Sequence, residues 1–180
     1  MTTKTKVSLI LTSDQEREFE LIRFLDGLSI QTTQYPINLY FVNQSQEILN
    51  YNWDQVEFNS EIIPSGRLGL SAARNLALSH LMPVDDYCEI IGFPDDDCWY
   101  DDKVLENVIT YFELNPDVNC ICTNVFDPSN QKSYGGRPLH IEKEVTFKNI
   151  FKLPISVGIF IKRESFIANQ IHFNEKLGAG

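Results

Sequence analysis

Runs of apolar residues alternate along the chain with stretches in which apolar residues recur at helical spacing. The continuous runs are rich in β-branched and aromatic residues and predict buried strands over residues 7–11, 37–42, 87–93, 118–125 and 155–161. The periodic stretches predict amphipathic helices over residues 15–30, 72–81 and 101–114. Strands and helices that alternate at this spacing favour an α/β fold, in which helices cover both faces of a mostly parallel sheet.

The first two helices have recognisable start signals. Thr12-Ser13-Asp14 is typical of a helix cap, and Ser71 is the expected cap of the second helix. The apolar face expected on the first helix consists of Phe19, Ile22, Phe24, Leu25 and Leu28.

Three further segments are less regular. Ile62-Ile63 is apolar but too short to predict a strand. Residues 83–86 are expected to form a linking turn, and residues 135–138 a loop, because proline and glycine interrupt regular structure there.

The composition is that of an ordinary folded protein. Of the 180 residues, 43% are apolar and 22% are charged, which excludes disorder as the main state and fits one domain. The 15 Lys and Arg residues against 25 Asp and Glu give a formal charge of −10, which excludes nucleic-acid binding through a general basic field. No apolar stretch is long enough to be a transmembrane segment, and the N-terminus is not expected to be a signal peptide.

The four cysteines, Cys88, Cys98, Cys120 and Cys122, form no C-x-x-C pair. Cys120 and Cys122 are expected on one face of a strand, because side chains two residues apart point the same way. We interpret the four as reduced, mostly buried thiols of a cytosolic protein. The three histidines are far from them in sequence, so structural zinc is not expected.

Three consecutive carboxylates, Asp95-Asp96-Asp97, directly follow a predicted buried strand. Like charges this close repel, and a divalent cation with oxygen ligands is a natural way to stabilise them. Asp95 and Asp97 are spaced to address one ligand together. The alternative is a solvated acidic turn or a helix cap, and the triplet alone does not decide between these.

A glycine-containing loop precedes the second helix and gives a second candidate site. Backbone amides at such a helix start favour an anion, and Arg67 or Arg74 could add a charged contact beside Gly69. The alternative is purely structural, with the helix alanines packed on the sheet and Arg74 paired with a neighbouring acid.

Taken in order along the chain, these segments resemble the glycosyltransferases of family 2. The resemblance is carried by Leu11-Thr12, by residues 69–75, by Phe93-Pro94-Asp95-Asp96-Asp97 and by residues 173–180, and it covers nearly the whole chain. It implies a GT-A fold, which is a Rossmann-like nucleotide-diphospho-sugar transferase sandwich of three layers around a mostly parallel sheet. It also implies one domain over residues 1–180, with nucleotide-sugar binding in about 1–125 and the start of an acceptor part in 126–180.

The resemblance also implies roles for individual residues. Asp95-Asp96-Asp97 resembles the family's D-x-D motif, so Asp97 would coordinate Mn²⁺ or Mg²⁺ on a diphosphate while Asp95 contacts the metal or a ribose. Thr12 would lie beside the nucleotide and Arg74 near its base or ribose. The residues implied at the nucleotide-sugar site are Thr12, Asn43, Arg67, Gly69, Arg74, Asp95 and Asp96.

Two departures from the family pattern affect the expected chemistry. Asn43 stands where the family commonly has an Asp that contacts the base; an amide both donates and accepts, so base binding survives while nucleotide choice stays open. The acidic pair that includes the family's catalytic base usually follows the segment that resembles residues 177–180, so the base is expected beyond Gly180. Other acids are weaker candidates: Asp101 and Asp102 are expected to start a helix, and Glu175 to pack or cap the final turn.

Trp99 and Tyr100 directly follow the acidic motif and leave two alternatives open. Their rings could stack on a sugar acceptor. Packing at the edge of the core is the commoner role for aromatic residues beside a strand end.

The function that the resemblance implies is a metal-dependent, inverting hexosyltransferase. It would move a sugar from a nucleotide-sugar donor, with a UDP-sugar favoured, to a saccharide or lipid-linked saccharide acceptor. The implied setting is cytoplasmic assembly of a bacterial surface polysaccharide, with peripheral attachment at the inner membrane face as an alternative. A noncatalytic nucleotide-sugar binding or scaffolding module is the alternative function, since the base is not found. A nucleotidyltransferase is disfavoured, because its phosphate loop should carry glycine directly after the first strand, where this chain has Thr12-Ser13-Asp14.

Overall fold

The computed structural model describes residues 6–47, 49–83, 88–130, 132–137 and 142–177. Parts of four predicted features lie outside these residues. They are residues 84–86 of the expected turn, the first residue of the strand predicted over 87–93, Pro138 of the expected loop and residues 178–180 of the last family segment.

The chain forms strands and helices in the predicted alternation. The strands are β1 (Val7–Ser13), β2 (Ile37–Asn43), β3 (Asn59–Pro64), β4 (Ile90–Gly92), β5 (Cys120–Cys122), β6 (Phe126–Asp127), β7 (Lys132–Ser133) and β8 (Ile159–Lys162). The α-helices are α1 (Glu18–Ser29), α2 (Leu70–Leu81), α3 (Val104–Leu114) and α4 (Arg163–Ala168). Short 3₁₀ helices cover Trp53–Gln55, Tyr134–Gly136 and Ser156–Gly158.

Six strands form one sheet in the order β3-β2-β1-β4-β8-β5, and β6 pairs with β7 in a small separate ribbon. The β1–β2, β2–β3 and β1–β4 pairs are parallel, whereas β8 runs antiparallel to both of its neighbours. The predicted mostly parallel α/β sheet is therefore confirmed. One reversed strand, β8, lies between β4 and β5.

Helices pack on both faces of the sheet and make three layers. Along β1, Leu9 and Leu11 point into the core shared with α1 and α3, while Ile10 points into the core shared with α2. Buried apolar side chains on both sides of one strand are what a sheet covered on both faces requires. Ala73 and Ala77 are fully buried on α2, where their small side chains allow the helix to lie close to the sheet. Among the described residues, none of the helices is long and apolar enough to cross a membrane.

The predicted start of the first helix is wrong. β1 continues through Ser13, and α1 begins only at Glu18, after a loop in which Gln15 has a positive φ of 64°. The cap predicted at Thr12-Ser13-Asp14 does not form, because strand pairing with β2 holds Thr12 and Ser13 extended. Phe19 consequently lies in the first helical turn with 75% of its surface exposed, off the expected apolar face.

Other boundaries also shift. Ser71 is the second residue of α2 rather than its cap, which is Gly69, and α3 begins at Val104 rather than at residue 101. Ile62-Ile63 belongs to a six-residue strand, β3, in which only Ile63 is buried because β3 is the edge of the sheet. The strands β5 and β8 are shorter than predicted, since the antiparallel ladder between them covers three residue pairs.

All four cysteines are free thiols in the structure, but only Cys88 is buried and Cys120 is exposed. The expectation of mostly buried thiols is therefore wrong, because β5 is the other edge of the sheet. Burial raises the pKa of Cys98 to about 12. The neighbouring Cys122 thiol raises the pKa of Cys120, so the two side chains lie on one side of β5, as their spacing predicts.

Replacing Gly158 by alanine is expected to destabilise the protein by about 2 kcal/mol, because overpacking at a tight contact costs that much. A Cβ at this position would lie 2.6 Å from the carbonyl oxygen of Thr123 and 2.7 Å from its Oγ1. The Gly158 carbonyl also accepts a hydrogen bond from the Thr123 amide at 2.8 Å. Moving the two backbone segments apart would therefore break this hydrogen bond. Urea denaturation measures the loss. Gly66→Ala is the control, since a Cβ there meets nothing within 4 Å, and an equal loss in both variants would contradict the explanation.

Candidate functional site

The carboxyl ends of the parallel strands bring several predicted site residues to one edge of the sheet. Ser13 is level with Asn43 in the β1–β2 register. The β1–β4 ladder ends at the Leu9–Gly92 pair, and beyond it the Ser13 hydroxyl on β1 contacts Asp96 in the loop that follows β4. Ligand sites of open α/β sheets lie at this edge, where strands lead into loops and helices.

Asp96 is the buried centre of the acidic triplet. Ser13 donates a hydrogen bond from Oγ to Asp96 Oδ2 at 2.6 Å, and Arg17 donates to Asp96 Oδ1 at 2.7 Å. Burial raises the pKa of Asp96, while these two partners oppose that shift. Both carboxylate oxygens are thus occupied within the protein, which makes Asp96 a structural anchor of the loop.

Asp97 faces outward from the same loop. The second guanidinium nitrogen of Arg17 pairs with Asp97 Oδ2, so one arginine bridges two of the three carboxylates. The Asp97 side chain is 46% exposed, against 6% for Asp96. Asp97 is therefore the carboxylate of this pair that a ligand from solvent can reach.

Asp95 is held from the opposite face of the sheet. Arg74 on α2 donates to Asp95 Oδ1 at 2.9 Å, and the Arg74 side chain is only 6% exposed. Burial lowers the pKa of Arg74 and raises the pKa of Asp95. The charge of each partner opposes the shift that burial causes in the other. The structure confirms that Arg74 pairs with a neighbouring acid, and its contact with a nucleotide stays a prediction.

Helix α2 also holds the last described residues, 173–177, in place. Asn75 accepts a hydrogen bond from the backbone amide of Phe173 at 2.9 Å and donates one to Glu175 Oε1 at 3.0 Å. Ser71 donates a hydrogen bond to the Leu177 carbonyl at 2.6 Å. Glu175 thus packs against α2, as expected. The segment with Ser71, Arg74 and Asn75 therefore joins the acidic loop to residues 173–177 in one hydrogen-bonded unit.

The loops after β1 and β2 form the other side of the site. Asn43 Oδ1 accepts from Gln15 Nε2 at 2.9 Å and from the Ser45 amide at 2.9 Å, while its Nδ2 donates to the Glu47 carbonyl at 3.0 Å. Asn43 therefore shapes the loop that follows β2. Gln15, whose side-chain amide donates to Asn43, has a positive φ that is unusual for a residue with a Cβ.

Arg67 and Gly69 lie across this site, in the loop between β3 and α2. The Arg67 side chain is 80% exposed and approaches Asp14 at 3.8 Å and Glu16 at 3.9 Å. Gly69 is the N-cap of α2, and a Cβ added to it would meet nothing within 4 Å. Thr12 is half-buried at the end of β1. These three residues lie at the same edge of the sheet as the acidic loop.

The two aromatic residues after the triplet have different roles. Tyr100 is buried in the core, where it donates to the Val157 carbonyl at 3.2 Å and packs against Phe24 and Phe160. Trp99 keeps 37% of its surface exposed, with the Arg23 guanidinium 3.9 Å from its ring centre. The structure thus confirms the prediction of core packing for Tyr100, whereas Trp99 remains accessible to solvent.

A divalent cation at Asp97 stays a prediction, since the Asp97 carboxylate is accessible but is paired with Arg17. Among the residues that the structure describes, no three His, Cys, Asp or Glu side chains are grouped to hold a metal. Mg²⁺ does not need such a group, because it commonly binds one or two carboxylates together with substrate phosphates and water. Asp97 offers an accessible carboxylate of this kind, and the role of Asp95 as a second ligand stays a prediction.

Three residues that organise the site, Ser13, Gln15 and Arg17, are not predicted by the sequence pattern. That pattern places Ser13 in a helix cap and Arg17 on the polar face of a helix. Ser13 and Arg17 both bond to Asp96, which is 83 residues from Ser13 and 79 residues from Arg17. No local sequence pattern can identify contacts at such separations. The position of Ser13 at the carboxyl end of β1 is the signal that could have found it, since ligand sites and the acidic loop lie at that edge of the sheet.

Comparison with known proteins identifies the family. The family model described as Glycosyl transferase family 2 matches residues 18–172. The chain belongs to glycosyl transferase family 2. No curated protein sequence matches this family 2 chain significantly.

Solved structures share its GT-A fold. S. aureus TarS 1-349 in complex with UDP-GlcNAc is 18% identical, with a TM-score of 0.72 over 96% of this chain and 50% of that one. The mannosyltransferase PcManGT from Pyrobaculum calidifontis, in complex with GDP-Man and Mn²⁺, is also 18% identical, with a TM-score of 0.68 over 99% of this chain and 50% of that one. The family 2 chain thus spans about half the length of these two proteins.

Proposed function

We propose that this chain binds a nucleoside-diphosphate sugar at the carboxyl edge of its sheet and serves as the donor-binding part of a metal-dependent, inverting glycosyltransferase. The observation that carries the proposal is the arrangement of the acidic triplet. Asp96 is buried as an anchor by Ser13 and Arg17, while Asp97 is presented to solvent. Family membership and the donors bound by the two solved relatives, UDP-GlcNAc in TarS and GDP-Man in PcManGT, support the class of ligand.

Each side of the site has a distinct role in this proposal. Residues 1–125 hold the nucleotide, with Thr12 and the Asn43 loop beside the base and ribose. Arg67, long and exposed at the rim, is suited to reach an anionic ligand, because its only described carboxylate partners are 3.8 Å away or more. The open space beside Gly69 allows a ligand to approach the start of α2 closely.

Asp97 is the residue that would hold Mn²⁺ or Mg²⁺ against the diphosphate. A divalent cation bound there supplies charge neutralisation for the departing nucleoside diphosphate. Two arginines hold the loop in position, since Arg74 fixes Asp95 from one face of the sheet and Arg17 fixes Asp96 from the other. The loop is thereby positioned before any ligand arrives, which is what an electrostatic site requires.

The acceptor side is assigned to residues 126–180, and the acceptor to a saccharide or lipid-linked saccharide. The general base is not assigned, and the inverting stereochemistry stays a prediction. We extend the proposal to cytoplasmic assembly of a bacterial surface polysaccharide, which rests on the family resemblance alone.

Calorimetric titration with UDP, GDP and dTDP, each with and without Mn²⁺, tests the proposal. We expect one nucleotide to bind with measurable heat in the presence of Mn²⁺ and far more weakly after chelation. The nucleotide that binds names the donor class. Failure of all three to bind, by protein whose circular dichroism shows it folded, would contradict the proposal.

A further inference from the structure

Two phenylalanine side chains project from one turn of the segment between β7 and β8, residues 145–153, which we call the aromatic turn. Phe147 is 98% exposed and Phe151 is 96% exposed, whereas no other large apolar side chain among the described residues exceeds 75%. Ile150, on the same turn, is 43% exposed. Side chains this exposed form a protrusion rather than a groove. Apolar surface gathered in one exposed place is typical of an interaction site.

Hydrogen bonds give the aromatic turn a helical shape. The Ile150 amide donates to the Thr146 carbonyl at 2.9 Å. The Leu153 amide donates to the Asn149 carbonyl at 3.0 Å, and Asn149 Oδ1 accepts a hydrogen bond from the Thr146 amide at 2.7 Å. The two backbone bonds join residues four apart, as in an α-helix, so the two phenylalanines, which are also four apart, lie on the same side of the turn. The rings are therefore presented together by a hydrogen-bonded turn.

The charges of the aromatic turn are positive. Its sequence contains two charged residues, Lys148 and Lys152, and no acid. Both lysines are exposed, and each directly follows one of the two phenylalanines. The acids nearest along the chain are Glu142, which accepts a hydrogen bond from a tyrosine of α3, and Glu144, which is exposed. The aromatic turn is thus basic, although the formal charge of the chain is −10.

Protruding aromatic rings beside lysines fit the surface of a bilayer that contains anionic lipid. Such rings insert at the boundary between headgroups and acyl chains, which deforms around them, whereas a protein partner would need a matching pocket. Lysines beside the inserted rings are attracted to anionic headgroups over a short range. The net negative charge of the chain opposes any general attraction to such a surface, so binding depends on the aromatic turn facing the lipid.

We propose that the aromatic turn docks this chain onto the surface of a bilayer that contains anionic lipid. Phe147 and Phe151 insert at the level of the headgroups, while Lys148 and Lys152 contact the lipid phosphates. The turn lies on the bilayer surface and does not cross it. This inference goes beyond the proposed function and does not depend on it.

Docking through the aromatic turn also brings the acidic loop towards the bilayer. Ser156 lies five residues after Phe151, and its hydroxyl donates to Asp95 Oδ2 at 3.5 Å. Five residues of chain span at most about 18 Å, so this edge of the sheet stays near the docked turn.

Flotation of the full chain with lipid vesicles tests the proposal. One set of vesicles is phosphatidylcholine alone, and the other is phosphatidylcholine and phosphatidylglycerol in equal parts. We expect the chain to float with the mixed vesicles and to bind the neutral ones about 10-fold more weakly, because two lysines contribute to the attraction. Raising the NaCl concentration from about 0.1 M to about 0.5 M should weaken binding to the mixed vesicles.

Two double variants separate the apolar contribution from the charged one. Phe147→Ala with Phe151→Ala should weaken binding to the mixed vesicles about 30-fold, because two inserted rings are lost. Both side chains are almost fully exposed, so the fold should be unaffected, which circular dichroism checks. Lys148→Gln with Lys152→Gln should weaken the same binding about 10-fold.

Each double variant has a matched control elsewhere on the surface. Phe19→Ala with Leu114→Ala removes two apolar side chains that are each 75% exposed, at the start of α1 and the end of α3. Lys103→Gln with Lys176→Gln removes the same charge from two exposed lysines outside the aromatic turn. Both controls should bind the mixed vesicles as the parent chain does.

The proposal is overturned if the chain stays unbound at millimolar mixed lipid, if neutral vesicles bind it equally well, or if a control loses as much binding as its matched variant. Analytical ultracentrifugation without lipid adds a further check. A dimer of the parent chain that is absent from the double phenylalanine variant would show that the aromatic turn joins two copies of the chain, which also overturns the proposal. Nucleotide binding is measured separately, so neither result decides the other.

Discussion

Replacement of Arg74 by methionine is expected to lower the free energy of unfolding by about 3 kcal/mol, because removing one partner of a buried ion pair leaves the other charge uncompensated. Arg74 is buried, and its guanidinium is 2.9 Å from Asp95, whose side chain is 32% exposed. That partial exposure places the expected loss at the lower end of the range for such pairs. Methionine keeps most of the length of the side chain, so the lost charge dominates the effect.

The loss should also be transmitted to the end of the chain. The guanidinium of Arg74 lies 5.8 Å from the ring centre of Phe93 and 5.5 Å from that of Phe173, so it holds residues 173–177 against the acidic loop. Hydrogen exchange should therefore quicken at Phe173, whose amide is bonded to Asn75.

Urea denaturation of Arg74→Met and Arg67→Met measures the loss of stability with a matched control. Arg67 is 80% exposed and has only long ion pairs, so its replacement should change stability by about 0.5 kcal/mol or less. Similar losses in the two variants would show that the Arg74–Asp95 pair does not stabilise the fold.

Replacement of Asp97 by asparagine is expected to weaken Mn²⁺-dependent nucleotide binding about 100-fold, a loss of about 2.7 kcal/mol in binding free energy. An amide has nearly the same shape as a carboxylate but lacks its charge, and Mn²⁺ and Mg²⁺ prefer charged oxygen ligands. Because Asp97 is half-exposed and its salt bridge to Arg17 is near the surface, the substitution should leave stability nearly unchanged.

Asp102→Asn is the control for Asp97→Asn. Asp102 is an exposed acid five residues further along the chain, and it lies outside the acidic loop. Calorimetric titration of both variants should leave Asp102→Asn at the parental affinity. Equal weakening in both, or none in either, would mean that Asp97 does not bind the metal.

The sheet is predictable from sequence because its central strands carry their own signal. β1 and β2 are continuous apolar runs, and α1 to α3 have periodic apolar faces, so local pattern and tertiary burial agree there. Local sequence pattern and tertiary burial disagree where backbone pairing between strands decides the structure. β3 is mostly exposed and escapes prediction, since an edge strand is stabilised by its ladder with β2 more than by buried side chains.

Individual residues of the candidate site can be predicted from the sequence, but the hydrogen bonds that join them cannot. The acidic triplet, Arg74 and Asn43 are identifiable because each stands directly after a strand or at a helix start. Local patterns give Ser13 and Arg17 only local roles, and their hydrogen bonds to Asp96 form only once β1 and β4 lie side by side in the sheet. A cap signal such as Thr12-Ser13-Asp14 predicts a helix start equally well whether or not a neighbouring strand pairs with those residues.

The central claim is that a divalent cation binds at Asp97, at the carboxyl edge of the sheet, together with a nucleoside diphosphate. Paramagnetic broadening by substoichiometric Mn²⁺ in the NMR spectrum of ¹⁵N-labelled protein, recorded with the nucleotide that binds in calorimetry, tests it most directly. We predict that the amide signals of Ser13, Asp96 and Asp97 broaden first. Those of Glu89 and Glu113, acids that pair with Lys6 near the amino end of β1, should stay sharp. Broadening centred on Glu89 and Glu113, or spread evenly over the acidic surface, would contradict the claim.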